Sequence, residues 1–330
     1  KRQAYKDEYK DFGKDDKAAA QKALGDYAFY SATKLVDITI PDSVKTIGVG
    51  AFRDCWKMTK ATLPAGLETI PQECFSVCKK LESVNIPDSV TKISYGAFTN
   101  CALKEINISK NLTEISIPGY TFSGCPAAVT VDAANPNYSA DERGVLYNKD
   151  KSLLLHCPNF EKAFTFDINC NIDQYAFYNC ANLTDVTFSY AIKKIPSAAF
   201  RSCGTVKIPT VPDTVRMIDS YAFNGCGMTE FYLPDSVEYV GSGAFSSTPL
   251  THFEFNDTID TFKDIFSICP KLRTVVVGKG IKKIEIGALG GTNKIDTIYY
   301  RGTKSDWDKI NFVDVASALK NIKIVYNYGQ

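Results

Sequence analysis

The chain has 330 residues, 45% of them hydrophobic, so it can bury a substantial core and is not a disordered segment. Its 38 basic and 37 acidic side chains nearly cancel, which argues against a nucleic-acid-binding or anionic-membrane protein, since both need a basic excess. No stretch approaches the roughly 20 apolar residues of a membrane-spanning helix, so we expect no direct membrane insertion.

The first segment, residues 1–24, differs from everything that follows and is predicted to be a helical cap. It contains DDKAAAQKAL, in which Asp is a suitable N-cap, the alanines favour helix, and Gly25 stands where the helix would end. The chain begins without Met and has no apolar signal-peptide core. We therefore expect its natural N-terminus, with any localisation signal, to have been removed.

From residue 25 to about 300 one short unit recurs. A phenylalanine marks each copy, and successive copies are 21–24 residues apart except for one gap of 55 residues. The marking residues are Phe29, Phe52, Phe75, Phe98, Phe122, Phe177, Phe200, Phe223, Phe245 and Phe266, with Leu289 in the last copy. Such a period means that one structural unit is copied about eleven times.

Each unit follows the pattern A-F-x-x-C-x-x-L-x-x-V-x-I-P-D-S-V-x-x-I. The V-x-I pair has the period of two that points both side chains to one face of a strand. The proline ends this strand, Pro-Asp-Ser forms a turn, and V-x-x-I fits a second short extended segment. One unit cannot bury its apolar face alone, so the copies are predicted to stack into a solenoid with parallel strands.

The 55-residue gap contains an insertion at about residues 135–158. The apolar runs GVLYN and SLLLHC, joined by KDK, predict a β-hairpin. Strand-like VTV (129–131) precedes the hairpin and FTF (164–166) follows it, so the gap holds two further turns. A variant turn and a binding protrusion are both compatible with this insertion.

Residues 301–330 depart from the repeat and are predicted to form a C-terminal cap that covers the open sheet edge. We expect a short helix around Asp306–Ile310, another around Val313–Lys320, and a final strand at Ile322–Tyr326. Trp307 is interpreted as a residue of this cap packed on the last turn, although a ligand-stacking role is an alternative.

The stretches LESVNIPDSVTKISYGAF and KLVDITIPDSVKTIGVGAF resemble the BspA-like leucine-rich repeats, also called the Treponema pallidum type. The resemblance covers about residues 25–300. It implies a leucine-rich-repeat solenoid, a right-handed superhelix, on a secreted or cell-surface bacterial protein of the adhesin kind. Members of this family are not typically enzymes through their repeats, and the insertion also resembles one that recurs in the family.

Eight of the eleven cysteines occupy the same repeat position, which Ala32 and Thr248 fill in two other copies. The position therefore needs a small, mildly polar, buried group, and we predict a ladder of reduced thiols. The eight are Cys55, Cys78, Cys101, Cys125, Cys180, Cys203, Cys226 and Cys269. Cys74 is predicted to be buried, and whether Cys157 and Cys170 form a disulfide is left open.

No catalytic, cofactor-binding or metal-binding residue is predicted. The two histidines, His156 and His252, lie on different turns, too far apart for a shared nucleophilic site, and adjacent His156 and Cys157 would point to opposite strand faces. The sequence lacks C-x-x-C, H-E-x-x-H, an Asp-rich calcium loop and a phosphate-binding glycine loop.

A functional surface is predicted on the outward side of the stacked V-x-I strands, where the repeat leaves residues free to vary. A solvated sheet face is the plain interpretation of these polar and β-branched residues. Solenoid curvature also creates an extended recognition surface, on which aromatic residues are the usual anchors. The candidate partner-binding residues are Tyr232, His252, Glu254 and Tyr299.

The sequence thus predicts a non-enzymatic, extracellular or surface-located monomer that binds a protein or glycan through its repeat face. Protein binding is favoured over glycan binding, because most Phe and Tyr residues fall at or near repeat positions where burial explains them. A structural spacer within a larger surface protein and a carbohydrate-binding module are the alternatives.

Overall fold

A computed structural model describes residues 22–159, 162–166, 168–188, 191–206, 211–285, 287, 295–314, 319 and 322–329. The chain is a parallel-strand β-solenoid of about 12 turns with very little helix, which confirms the predicted fold class. It forms two compact units, residues 1–150 and 151–330. The repeat, predicted over residues 25–300, runs through both units.

In the first unit the V-x-I pairs form short strands along one side of the solenoid, here called the strand face. These strands are β2 (Asp37–Thr39), β4 (Lys60–Thr62), β6 (Ser83–Asn85), β8 (Glu105–Ile108) and β10 (Ala128–Val131). The pairing is parallel and in register, so Ile38, Ala61 and Val84 form one inward row. Polar residues on either side of this row point to solvent, as the period of two predicts.

The V-x-x-I segments of the first unit form a second side, here called the second face. Its strands are β1 (Lys22–Leu24), β3 (Val44–Ile47), β5 (Thr69–Ile70), β7 (Lys92–Ile93) and β9 (Glu114–Ile115). The predicted Pro-Asp-Ser turn joins the two faces: the Val44 N–H donates to the Pro41 carbonyl at 2.9 Å, and the Val90 N–H donates to that of Pro87 at 3.0 Å. Proline has no N–H to give the ladder, so β2, β4 and β6 stop before Pro41, Pro64 and Pro87.

The second unit repeats this arrangement. Its strand face contains β14 (Ala163–Phe166), β16 (Asp185–Phe188), β19 (Glu230–Tyr232), β21 (His252–Glu254), β23 (Thr274–Val277), β25 (Thr297–Tyr300) and β27 (Lys323–Val325). Its second face contains β13 (Leu153–His156), β15 (Asn171–Ile172), β17 (Lys194–Ile195), β18 (Met217–Ile218), β20 (Tyr239–Val240), β22 (Thr261–Phe262), β24 (Lys283–Ile284) and β26 (Asn311–Phe312). Strands β19, β21, β23, β25 and β27 form one five-stranded sheet.

The Ala-Phe pairs form a third side, the corner, which in the described turns has no regular strand but is bonded from turn to turn. The Phe52 N–H donates to the Cys74 carbonyl, and the Asp54 N–H donates to the Ser76 carbonyl, both at 2.9 Å. The backbone is left-handed two residues before and two residues after the phenylalanine, as at Gly50 (φ 58°) and Asp54 (φ 61°). This local geometry turns the chain sharply and still leaves its N–H groups aimed at the next turn.

The interior is a column of stacked phenylalanines. In the first unit the ring centroids of Phe52 lie 5.3 Å from those of both Phe29 and Phe75, with the rings nearly parallel. In the second unit Phe177 and Phe200 stack at 4.8 Å. The recurrent phenylalanine is therefore buried because each ring covers the ring of the next turn, and offset stacking adds to the area that is removed from water.

All eleven cysteines lie within the described residues and are buried thiols, including Cys157 and Cys170, which are not joined by a disulfide. In seven of the eight ladder cysteines the Sγ atom lies 2.9–3.2 Å from the carbonyl oxygen of the corner phenylalanine one turn earlier. Cys180 donates to the Cys157 carbonyl at 3.4 Å instead. The thiol ladder is confirmed, and its hydrogen bonds explain why the position prefers a weak donor.

The insertion differs in part from the predicted hairpin. Strands form at both predicted runs, as β12 (Leu146–Asn148) and β13, and strand β10 precedes them as expected. A further strand, β11 (Tyr138–Ala140), was not predicted, and it pairs antiparallel with β12. Tyr138 anchors this strand, because its ring is buried and its hydroxyl accepts a hydrogen bond from the Ile115 N–H at 2.9 Å.

The two ends of the chain also need correction. Residues 22–24, predicted as the last turn of a helix, form β1 and pair with β3, because Leu24 belongs to the apolar interior. The rest of the predicted cap, residues 1–21, lies outside the described residues.

Before the insertion one helical turn, Pro118–Thr121, replaces the usual corner geometry.

At the C-terminus the first predicted helix is present but starts earlier, at Lys304–Trp307, because Thr303 and Asp306 form a reciprocal capping box there. The predicted second helix lies mostly outside the described residues. The final strand, β27, pairs with β25 and so continues the strand face. Trp307 is 7% exposed and its ring contacts Tyr300, which confirms its place in the cap.

Candidate functional site

The four candidate residues lie together on the five-stranded sheet of the second unit. Across the parallel strands Tyr232 is opposite Glu254, Glu254 is opposite Val276, and Val276 is opposite Tyr299. His252 precedes Glu254 by two residues on β21 and so projects from the same face. The repeat period thus places side chains from three turns in one outward cluster, here called the tyrosine cluster.

Tyr232 is the most prominent member of this cluster. Its side chain is 59% exposed, more than any other aromatic residue that the structure describes. Its ring lies 5.4 Å from that of His252, and its hydroxyl donates to Glu230 Oε2 at 3.3 Å. Partial desolvation, followed by the nearby carboxylates of Glu230 and Glu254, raises the pKa of Tyr232 above its usual range.

Glu254 is held by an arginine that the sequence analysis did not select. The Arg301 guanidinium donates to Glu254 Oε1, and its second nitrogen lies 3.4 Å from Asp257 Oδ1. Arg301 follows β25 and Glu254 ends β21, so the arginine side chain crosses the intervening strand β23. Val276 lies on β23 between them. The strand pairing places it in the outward row with Glu254, yet it is completely buried.

A second tyrosine was also missed. The rings of Tyr299 and Tyr328 lie 4.6 Å apart, and Tyr328 is partly exposed. Tyr328 belongs to the cap rather than to a repeat, so no periodic pattern could have placed it on this surface. The Tyr328 N–H donates to the Tyr300 carbonyl at 3.1 Å, which fixes the cap residue beside the sheet.

The cluster combines large, rigid aromatic surface with carboxylates, a guanidinium and an imidazole, which suits recognition of another molecule. His252 Nε2 lies 3.7 Å from Glu254 Oε2, close enough for a charge interaction when the imidazole is protonated. In the described part of the chain no group of three or more His, Cys, Asp or Glu side chains is arranged to hold a metal ion.

The other histidine lies in a different environment. His156 is buried in β13, and desolvation lowers its pKa to about 3, so it stays neutral at physiological pH. The adjacent Cys157 thiol is buried as well. Two shallow surface grooves have volumes of about 310 and 350 Å³, and neither is lined by a histidine or a cysteine.

Comparison with known proteins shows the family. The model of the BspA type leucine-rich repeat region matches residues 18–128, 150–216 and 193–317, with six copies. No curated protein is significantly similar to the chain in sequence. None of the helices within the described ranges has the length and apolar character needed to cross a bilayer.

Several solved structures share the fold at low sequence identity. The pneumococcal vaccine antigen PcpA has a TM-score of 0.71 and 20% identity, over 88% of this chain and 78% of that one. A leucine rich cell surface protein from Faecalibacterium prausnitzii has a TM-score of 0.58 and 22% identity, covering 88% and 86%. A leucine-rich repeat protein from Eubacterium ventriosum has a TM-score of 0.59 and 21% identity, over 86% of this chain and 83% of that one.

These likenesses establish the fold, and the family match extends over most of the chain in both compact units. The matched segments contain the stacked phenylalanines, the thiol ladder and all strands of the five-stranded sheet except β27. The chain therefore belongs to the BspA type leucine-rich repeat family.

Proposed function

We propose that the chain is a non-enzymatic bacterial surface or secreted protein that binds another protein through the strand face of its second unit. The tyrosine cluster carries this proposal, because it combines the most exposed aromatic residue described with polar groups from three turns of one sheet. Tyrosine supplies large contact area at a low cost in side-chain entropy, and binding hot spots are enriched in it.

The family and the fold support this location and role. The Faecalibacterium relative is a cell surface protein and PcpA is a vaccine antigen, which is consistent with exposure outside the cell. The chain carries a net charge of only +1, so the proposed partner is a protein rather than a nucleic acid. We further propose that the chain acts as a monomer.

The experiment is a capture of proteins from host and microbial secretions on the immobilised chain, followed by binding measurements with each purified candidate. Tyr232→Ser and Tyr299→Ser are expected to weaken a genuine partner at least about tenfold, the usual loss at a hot spot. Tyr239→Ser is the matched control, because Tyr239 is partly exposed on the second face of the same unit.

Binding that survives both substitutions in the cluster would refute this site. Binding of glycans on an array, with no protein partner, would favour a carbohydrate-binding module instead. If neither protein nor glycan binds, the spacer hypothesis is the better one.

A further inference from the structure

Two other exposed tyrosines of the second unit, Tyr221 and Tyr239, are accompanied by basic side chains from neighbouring turns. Lys263 Nζ lies 4.7 Å from the ring centroid of Tyr239 and 3.3 Å from its hydroxyl oxygen. The Arg201 guanidinium lies 5.4 Å from the ring of Tyr221 and 5.8 Å from that of Tyr178. The fold thus repeatedly pairs a cation with the electron-rich face of a surface tyrosine.

Tyr232 differs from these tyrosines in its neighbours. Among the described residues no lysine or arginine lies over its ring, although it is more exposed than Tyr221 and Tyr239. Its close polar contacts are instead with Glu230, through the hydroxyl, and with the His252 ring. Glu254 is opposite Tyr232 on the next strand, so carboxylates stand both beside the ring and across from it.

The same surface already binds one guanidinium group. Arg301 reaches across β23 to Glu254 and Asp257, which shows that a planar cation fits against the outward side of this sheet. Around Tyr232 and Glu254 three carboxylates, those of Glu230, Glu254 and Asp257, face the two permanently charged basic groups of Arg301 and Lys279, and the His252 imidazole adds a positive charge only when it is protonated. The local charge therefore favours a further cation.

We propose that Tyr232, together with Glu230 and Glu254, binds a basic side chain, preferentially arginine, of the partner protein. The guanidinium plane stacks on the exposed ring of Tyr232, while its N–H groups donate to the two carboxylates. The inference rests on the proposed function, since it specifies the chemistry by which the strand face recognises a protein.

The test uses the whole chain with small probes, so it does not require the partner to be known. N-acetyl-arginine amide, N-acetyl-citrulline amide and tetramethylammonium are titrated separately into protein with ¹³C-labelled tyrosine rings. Of the 18 tyrosine signals, the signal of Tyr232 is identified by its loss in Tyr232→Phe. We expect a saturable shift of this signal with arginine amide and none with citrulline amide, which has the same shape but no charge.

Two carboxylate variants decide whether the effect is local. Glu230→Gln is expected to weaken arginine binding about threefold, whereas Glu238→Gln, an exposed carboxylate on the second face paired with Arg216, is expected to leave it unchanged. Circular dichroism of both variants excludes unfolding as the cause. Equal weakening by the two variants, or an equal shift with citrulline, would overturn the proposal.

Tighter binding of tetramethylammonium than of arginine amide would also overturn it, because the site would then select a quaternary ammonium group rather than a protein side chain. Failure of this inference is distinguishable from failure of the proposed function. A captured partner that depends on Tyr232 and Tyr299, without arginine binding, would contradict only the inference. Arginine binding without any protein partner would contradict only the proposed function.

Discussion

At the scale of single residues, the repeat position suits cysteine because its side chain is small and its S–H group is a weak hydrogen-bond donor. The Cys203 Sγ atom lies 2.9 Å from the Phe177 carbonyl oxygen in the interior, where water does not replace this bond. Burial raises the pKa of this thiol well above its usual range, so it remains a protonated donor. Thr248 fills the same position with a hydroxyl that donates at 2.7 Å to the Phe245 carbonyl, which belongs to its own turn and not to the preceding one.

Cys203→Ala is therefore expected to lower the free energy of unfolding by about 1–3 kcal/mol, because it leaves a small cavity and removes one of the two hydrogen bonds to the buried Phe177 carbonyl, which keeps only that from the Cys180 N–H. Urea unfolding followed by circular dichroism measures the change. Cys74→Ala is the control: Cys74 is buried, but its position holds alanine in most other turns, so a smaller loss is expected. Equal losses in the two variants would contradict the role given to the hydrogen bond.

His156 predicts a specific pH dependence of stability. Its pKa is about 3 in the folded chain and about 6.5 when unfolded, so the unfolded state binds the proton more readily. Above pH 6.5 the group has no effect, and between pH 6.5 and 3 it destabilises the fold by about 1.4 kcal/mol for each unit that the pH falls. Below about pH 3 the penalty stops growing.

His156→Gln removes this titration, so its stability is expected to fall less steeply than that of the wild type between pH 6 and 4. The measurement is a series of urea unfolding curves across this range. Carboxylates titrate in the same window in both proteins, and only the difference between the two slopes reports on His156. If the difference in stability between the wild type and His156→Gln did not change with pH, the titration assigned to His156 would be disproved.

Ile268 holds a backbone conformation that suits it poorly. Its φ is 60°, in the left-handed region, where a β-branched side chain is strained, and its side chain is 67% exposed. Asn100 and Asn179 occupy the same position two residues after the corner phenylalanine in other turns.

Ile268→Asn is expected to stabilise the chain by about 1 kcal/mol by relieving this strain. The rise in melting temperature measures the effect. The control is Val36→Asn, because Val36 is also exposed and β-branched but is not left-handed. A comparable rise in the control would show that removal of exposed apolar surface, and not the backbone, is responsible.

At the scale of elements, stability resides in contacts between neighbouring turns. No strand longer than four residues is described, and such short strands are stable only when stacked. Phe75 illustrates this, because its ring stacks on Phe52 at 5.3 Å and on Phe98 at 5.6 Å. A change at one ring therefore affects three turns.

Phe75→Ala is expected to destabilise the first unit by about 3–5 kcal/mol, since it opens a large cavity in the middle of the column. Phe29→Ala is the comparison, because Phe29 is partly exposed near the start of the described chain and relaxes more easily into solvent. Urea unfolding of both variants is expected to show the larger loss for Phe75. Equal losses would mean that the column does not transmit the effect between turns.

Elements that depart from the repeat were the hardest to predict. Strand β11 was missed because YSA has no alternation long enough to indicate a strand, and its pairing with β12 supplies the missing stability. At Asn256 the usual turn proline is absent. There the buried side chain of Asn256 donates to the Val237 carbonyl at 2.8 Å and accepts from the Ile259 N–H at 3.1 Å. A turn that is held by a side chain instead of by proline is not part of the repeat pattern, so periodicity could not predict it.

At the scale of the whole molecule, the repeat period sufficed to predict a solenoid. A constant period places equivalent residues in columns, so the inward Phe, Val and Ile and the outward polar residues could be assigned from spacing alone. The same argument located Tyr232, His252, Glu254 and Tyr299 on one face. The division into two compact units was not predicted, because the repeat pattern is the same in residues 1–150 and 151–330.

The sequence by itself therefore determined the stacking of parallel turns, the buried phenylalanine and cysteine columns, and the face on which the tyrosine cluster lies. Only the tertiary structure decided that Arg301 crosses a strand to reach Glu254, that Tyr328 joins Tyr299, and that Val276 is covered. The physical reason is that periodicity reports which residues share a column, whereas a long side chain reaches across columns to a partner far away in sequence.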